Sequence, residues 1–111
     1  MGTKKNDILQ GTLVLLILKT LAGQKHLHGY AITAYIHAVS DQLLRVEEGS
    51  LYPALHRLIK RGWISVGHGT SENNRRAKFY ALTAKGRRQL VVETSKWDTL
   101  AAAIARILRP A

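Results

Sequence analysis

The chain has 111 residues, enough for one small domain and too few for a second or for a lidded enzyme cavity. Lys and Arg number 17 against 7 Asp and Glu, a formal charge of +10, which points to a polyanionic partner: nucleic acid first, an anionic membrane surface second. A hydrophobic share of 46% excludes a disordered basic tail, and the absence of cysteine excludes disulfides and thiol catalysis and fits a cytoplasmic protein.

Residues 1–6 are polar and expected to fray. The spacing then predicts a helix from Asp7, as N-cap, to about Ala22, with Gly23 as its stop. Leu13, Leu15, Leu16, Ile17, Leu18 and Leu21 make it apolar all round, the pattern of a helix packed on more than one side. Its longest apolar run, Leu13 to Leu18, is far too short for a membrane span. No small-residue cleavage site follows, so the mature chain is expected to start near Met1. After a loop at 24–27, a second helix is expected from about His28 to Val39, with Tyr30, Ala31, Ala34, Tyr35 and Ala38 at near-helical spacing.

A third helix is expected from Gly49-Ser50 to Arg61, with Ser50 as N-cap, Pro53 in the first turn and Gly62 as the stop. Leu51, Leu55, Leu58 and Ile59 fall on one face, and Tyr52, His56 and Lys60 form an i, i+4, i+8 stripe on another, flanked by Arg57. Glu47 and Glu48 suit the positive end of this helix dipole. Trp63 to Val66 reads as a short strand and Ala77 to Leu82 as its return. The stretch Gly67 to Asn74 between them is rich in turn formers, so a long polar tip is expected. Thr83 caps a last helix running to about Leu108, which Arg109-Pro110 ends. The fold class is therefore mostly α with a small β-hairpin: a winged helix-turn-helix at 7–82 followed by a C-terminal dimerisation helix at 83–108, one domain in all.

Nine basic residues lie between Arg57 and Arg88: Arg57, Lys60, Arg61, Arg75, Arg76, Lys78, Lys85, Arg87 and Arg88, interrupted by one acid, Glu72. They concentrate charge on the third helix, the hairpin and the head of the fourth helix. On a winged helix these elements meet DNA, one in the major groove and the others near phosphates. Tyr52 lies beside the polar stripe, where its hydroxyl can donate to a phosphate. The five histidines have no metal-site spacing, and no nucleophilic triad, phosphate-binding glycine loop or carboxylate pair is present. Neither metal nor cofactor is expected, and the chain does not read as an enzyme.

In the last helix Leu90, Thr94, Trp97, Ala101, Ile104 and Leu108 alternate by four and three, a heptad seam that Leu100 and Ile107 widen. It is expected to pair with a second copy, while packing against the first helix of the same chain remains open for part of its length. A twofold dimer implies an operator with dyad symmetry.

The sequence resembles the PadR-like family of bacterial transcriptional regulators. The resemblance is carried by Gln10-Gly11-Thr12-Leu13, His28-Gly29-Tyr30-Ala31-Ile32, Glu48 to Leu58 (EGSLYPALHRL), Gly62-Trp63-Ile64 and Arg75 to Gly86 (RRAKFYALTAKG), in that order over about residues 8–88. It implies a homodimeric winged-helix repressor with a single C-terminal dimerisation helix. It also implies DNA contacts from Ser50, Tyr52, His56 and Arg57, and from Arg75, Arg76 and Lys78 around the wing. With Lys60 and Asn74 these make the candidate DNA-binding set. Ala81 stands where the family carries an Arg after its aromatic pair, which removes one phosphate contact. Members of the family commonly respond to stress or small molecules, and some bind planar aromatic effectors between the dimer helices. Trp97 is the residue here that could stack on one, although a dimer-core role comes first. The expected partners are double-stranded DNA, a second copy and a planar effector, with no membrane. The alternative is a basic architectural or ribosome-associated protein that binds nucleic acid without sequence preference.

Overall fold

The computed structural model describes residues 3–24, 26–70 and 75–110, with side chains from residue 12 onward. The order is α1 (Thr3–Gly23), α2 (Gly29–Val39), α3 (Glu48–Lys60), β1 (Ile64–Thr70), β2 (Arg76–Leu82) and α4 (Ala84–Leu108). The α1 helix is the centre of the domain: it touches α2, α3, α4 and β2, and Leu13, Ile17, Leu18 and Leu21 are sealed from solvent. This is why it is apolar on more than one side. It starts at Thr3, four residues before Asp7, so Asp7 lies inside the helix and does not cap it, and residues 3–6 are helical.

The face that α2 buries is Gly29, Ile32, Thr33 and Ile36; Tyr30 is 71% exposed, and Ala34, Tyr35 and Ala38 also face solvent. The near-helical spacing of Tyr30, Ala34 and Ala38 therefore marks the outer side. His28 is the N-cap: its Nδ1 accepts the Ala31 N–H at 3.3 Å.

The core face of α3 is Leu51, Ala54, Leu55 and Leu58, each about 1% exposed or less. The helix begins at Glu48 with Glu47 in the cap position, so Ser50 occupies its third residue rather than the cap. Pro53 accordingly falls in the second turn. Gly62 ends α3 at φ 76°, with Gly62 N–H donating to Ile59 O at 2.9 Å and Trp63 N–H to Leu58 O at 3.0 Å. This paired closure requires left-handed backbone at residue 62, which glycine adopts without strain.

The hairpin is longer than its composition suggests. The strands pair antiparallel in register from Ile64↔Leu82 to Thr70↔Arg76, so Gly67, His68, Gly69 and Thr70 belong to β1 and not to the tip. The Phe79 ring lies against Gly69, where a Cβ would strike it. Leu27 adds a one-residue bridge to Tyr80, with N–O distances of 3.0 and 2.8 Å, which ties the loop before α2 to the sheet.

Thr83 caps α4 as expected, its Oγ1 accepting the Gly86 N–H at 2.9 Å; the hydroxyl also lies 2.7 Å from Gly62 O. Its backbone N–H donates to Trp63 O at 3.1 Å. Gly86 is buried against the Trp63 carbonyl, where a Cβ would overlap that oxygen. The Gly86→Ala substitution is expected to destabilise the domain by about 2–3 kcal/mol, the scale of overpacking against backbone, measured as a lowered denaturant midpoint at unchanged slope. A second expectation concerns Tyr80, whose hydroxyl is pushed above its ordinary 10.0 by burial and then by the neighbouring Tyr52. Folding favours the neutral phenol, so this contribution is whole below pH 10.0 and is lost as pH rises past it. Chemical denaturation across that range should show a steeper alkaline loss in the wild type than in Tyr80→Phe.

Candidate nucleic-acid interface

Because Leu51, Leu55 and Leu58 face the core, the rotation of α3 about its axis is fixed. Tyr52, His56, Arg57 and Lys60 all remain exposed along its outer side. The stripe predicted from helical spacing is thus a continuous solvent-facing strip of one phenol, one imidazole and two cations.

Tyr52 is neither core nor free. Its ring lies on Gly29, so closely that a Cβ there would come within 2.6 Å of the hydroxyl oxygen, and 38% of the residue stays exposed. The first turn of α2 and the first half of α3 are thereby locked together through an aromatic ring whose edge still reaches solvent. Sequence spacing suggested the exposure; the lock becomes visible only when the two helices are packed. Ser50 is half-buried, with its N–H bonded to Glu47 O at 3.0 Å.

On the hairpin, Arg76 and Lys78 are exposed and share one face, since they alternate with Ala77 and Phe79. The register puts Thr70 opposite Arg76 and His68 opposite Lys78 on that same face. His68 and Thr70 were hidden by the turn-rich composition around them; extending the period-two alternation through the glycines would have found them. Arg75, just before β2, is exposed. Asn74 lies outside the described residues.

Arg61 and Lys85 have contacts inside the molecule. The Arg61 guanidinium sits 5.1 Å from the centre of the Trp63 ring, and the Lys85 side chain runs beside Gly62. Both place positive charge at the C-terminal end of α3, where the helix dipole favours it. Arg57, Lys60, Arg75, Arg76, Lys78, Arg87 and Arg88 are exposed.

The α4 seam divides in two. Leu90 packs against the domain's own core, whereas Trp97 and Ile104 are each 44% exposed and Leu108 77%. Thr94 is exposed and Ala101 half-buried, while Leu100 and Ile107 add to the uncovered apolar side. The molecule is correspondingly long, 58 × 33 × 22 Å with a radius of gyration of 15.4 Å, against about 13 Å for a compact chain of this length.

Among the described residues no group of His, Asp and Glu has the arrangement of a metal site, and no helix is long and apolar enough to cross a membrane.

Comparison with known proteins bears on all of these elements. The family model described as the transcriptional regulator PadR-like family matches residues 17–92, which run from α1 through the hairpin into α4. The chain is similar to the structure of a transcriptional regulator from Clostridium thermocellum, at 27% identity and a TM-score of 0.84, over 93% of this chain and 99% of that one. A PadR-like transcriptional regulator from Bacillus cereus matches at 27% identity and a TM-score of 0.79, over 95% and 99%. An uncharacterised protein from Lysinibacillus sphaericus is 27% identical over 93 residues, 84% of each chain. With the winged helix-turn-helix complete and the family match spanning it, the chain belongs to the PadR-like family of transcriptional regulators, which are regulators and not enzymes.

Proposed function

We propose that this regulator acts as a homodimeric repressor in the cytoplasm, with residues 7–82 holding DNA and residues 83–108 pairing the two copies. The observation that carries the reading is the outer strip of α3, Tyr52, His56, Arg57 and Lys60, held outward by a fully buried opposite face. An α-helix of this kind fits the major groove, where side chains at i, i+4 and i+8 reach successive base edges and flanking phosphates. Arg75, Arg76 and Lys78 lie at a hairpin suited to backbone contact, and Ser50 in the first turn of α3, with Asn74, completes the proposed DNA-binding set. Bound over a promoter, such a dimer represses by occlusion.

The dimer reading is supported by the uncovered side of α4. Trp97, Leu100, Ile104, Ile107 and Leu108 present apolar area at a/d-like spacing that the protomer does not cover. Thr94 and Ala101 keep the seam narrow, and Leu90 anchors its near end in the protomer. Two such helices crossing on a twofold axis hold two α3 helices at a fixed separation, which calls for a dyad-symmetric operator. Trp97 lies within that seam, so a planar effector stacked on it would act where the two copies meet and release the DNA.

Selection of duplexes from a random-sequence library by the purified chain tests the reading. A dyad-symmetric consensus is expected, bound at least 10³-fold more tightly than a scrambled duplex, in the ordinary range of about 10³–10⁷. Equal affinity for all duplexes would instead identify a sequence-independent architectural protein. His56→Ala should reorder operator variants by about 1–3 kcal/mol, whereas Arg75→Ala with Arg76→Ala should weaken all duplexes alike and flatten the salt slope by about one unit per lost phosphate contact. Ile104→Glu with Leu108→Glu should yield monomers by light scattering and weakened operator binding; an unchanged dimer mass would remove α4 as the interface.

A further inference from the structure

The turn between α2 and α3 decides where α3 begins, and residues 40–47 contain no glycine. Asp41 and Gln42 nevertheless both hold left-handed backbone, at φ 56° and 68°. Such conformations are unfavourable for residues with a Cβ and persist where surrounding contacts over-determine them. Ser40 holds part of the turn, its Oγ accepting the Leu44 N–H at 3.0 Å and its carbonyl the Leu43 N–H at 3.1 Å, and His37, in the last turn of α2, holds both of its ends. The His37 carbonyl accepts the Gln42 N–H at 2.7 Å, while Asp41 N–H donates to Ala38 O at 3.1 Å, the pattern that usually requires a glycine. Its ring then reaches nine residues forward, where Nε2 accepts the Val46 N–H at 2.8 Å. Val46 is 4% exposed and is the buried residue of the turn, its side chain part of the core directly before α3. A backbone N–H in that position is costly to leave without an acceptor.

A ring nitrogen accepts an N–H only while it carries no proton. Histidine is also the side chain that ordinarily changes charge between about pH 5 and 8. We propose that His37 is a positioning residue for α3: its unprotonated Nε2 holds the Val46 amide and with it the start of the reading helix, so protonation loosens the turn and lowers selective DNA binding. The proposal rests on the reading of α3 as the helix that contacts base edges. The titratable and charged groups of the flanking segments are Lys19 on α1, Tyr35 on α2, Asp41 and Arg45 in the turn, and Glu47 and Glu48 at the head of α3, all exposed. Among the described residues none forms an ion pair with the ring. The hydrogen bond is therefore the specific interaction that a proton on Nε2 removes.

His28 caps α2 through Nδ1, and any charge added on the exposed side that carries His56 and His68 would tighten binding to every duplex alike. The informative quantity is the ratio of affinities for the selected duplex and its scrambled counterpart, compared between variants of the full chain at about pH 7.5 and about pH 5.5, on either side of the ordinary histidine range. His37→Gln supplies an amide oxygen of similar reach that does not titrate; His37→Leu supplies no acceptor. The wild type should lose about tenfold in this ratio on acidification, equivalent to one hydrogen bond, while His37→Gln keeps it and His37→Leu is lowered at both pH values. In the absence of DNA, the Val46 amide resonance should titrate with the His37 ring in the wild type and be pH-independent in His37→Gln. Equal acid sensitivity in the wild type and His37→Gln would overturn the proposal, as would a Val46 resonance that ignores the ring. If the wild type prefers no duplex at any pH, the DNA reading fails, and the Val46 titration still decides whether His37 holds the turn.

Discussion

The orientation of the basic outer strip depends on the burial of the opposite side of α3. Leu51, Ala54, Leu55 and Leu58 are packed into a core shared with α1, α2 and the hairpin, each about 1% exposed or less. Fully burying such a leucine is worth on the order of 2 kcal/mol, so turning α3 by even one residue, about 100°, would bring several of them into water. That energy gap, and not any property of the exposed residues, aims Tyr52, His56 and Lys60 outward. The contact surface is thus specified by apolar side chains that never reach it.

The far end of α3 carries the same constraint into the rest of the chain. Gly62 closes the helix, Trp63 turns into β1, and the Trp63 carbonyl receives the Thr83 N–H while pressing on Gly86. The end of α3, the base of the hairpin and the head of α4 therefore meet within a few residues. The junction contains two glycines for two different reasons: Gly62 for its left-handed backbone, Gly86 for the close approach of a carbonyl. Neither replaces the other, and each tolerates little substitution.

Much of this was legible from the sequence where a single physical rule governs. The Leu51/Leu55/Leu58 spacing gave both faces of α3, and Thr83 followed by a long amphipathic run gave α4 and its cap. The readings that failed are those where tertiary contact overrides a local preference. Two further differences are of position alone: Ser50 and Asp7 are good caps by type, yet α3 starts at Glu48 and α1 at Thr3. Gly67 and Gly69 look like turn residues, but the ladder to β2 and the Phe79 ring hold them as strand. In α2 the tyrosines and alanines share a helical spacing, while the packed face belongs to Ile32 and Ile36. No local pattern reveals that Tyr52 leans on Gly29 or that His37 reaches Val46, since both join residues from different elements.

The two ends of α4 have opposite surroundings, and this gives the helix its mechanical role. Gly86 is clamped against Trp63, and Leu90 packs against the core; Trp97 lies about 16 Å along the axis from Gly86, and the apolar side beyond it is exposed. A helix of 25 residues anchored at one end carries the orientation of that end along its length with only gentle curvature. In the proposed dimer a changed contact near Trp97 would act back along this helix toward the Gly86 junction and the end of α3. Packed interfaces shift between discrete arrangements and do not deform continuously, so in the proposed dimer a displacement of about 1–2 Å at the seam would change the separation of the two α3 helices. A ligand could exert such control only to the extent that it binds one arrangement more tightly than the other. In the proposed dimer a single helix would thus both pair two copies and couple their contact to the spacing of the two α3 helices.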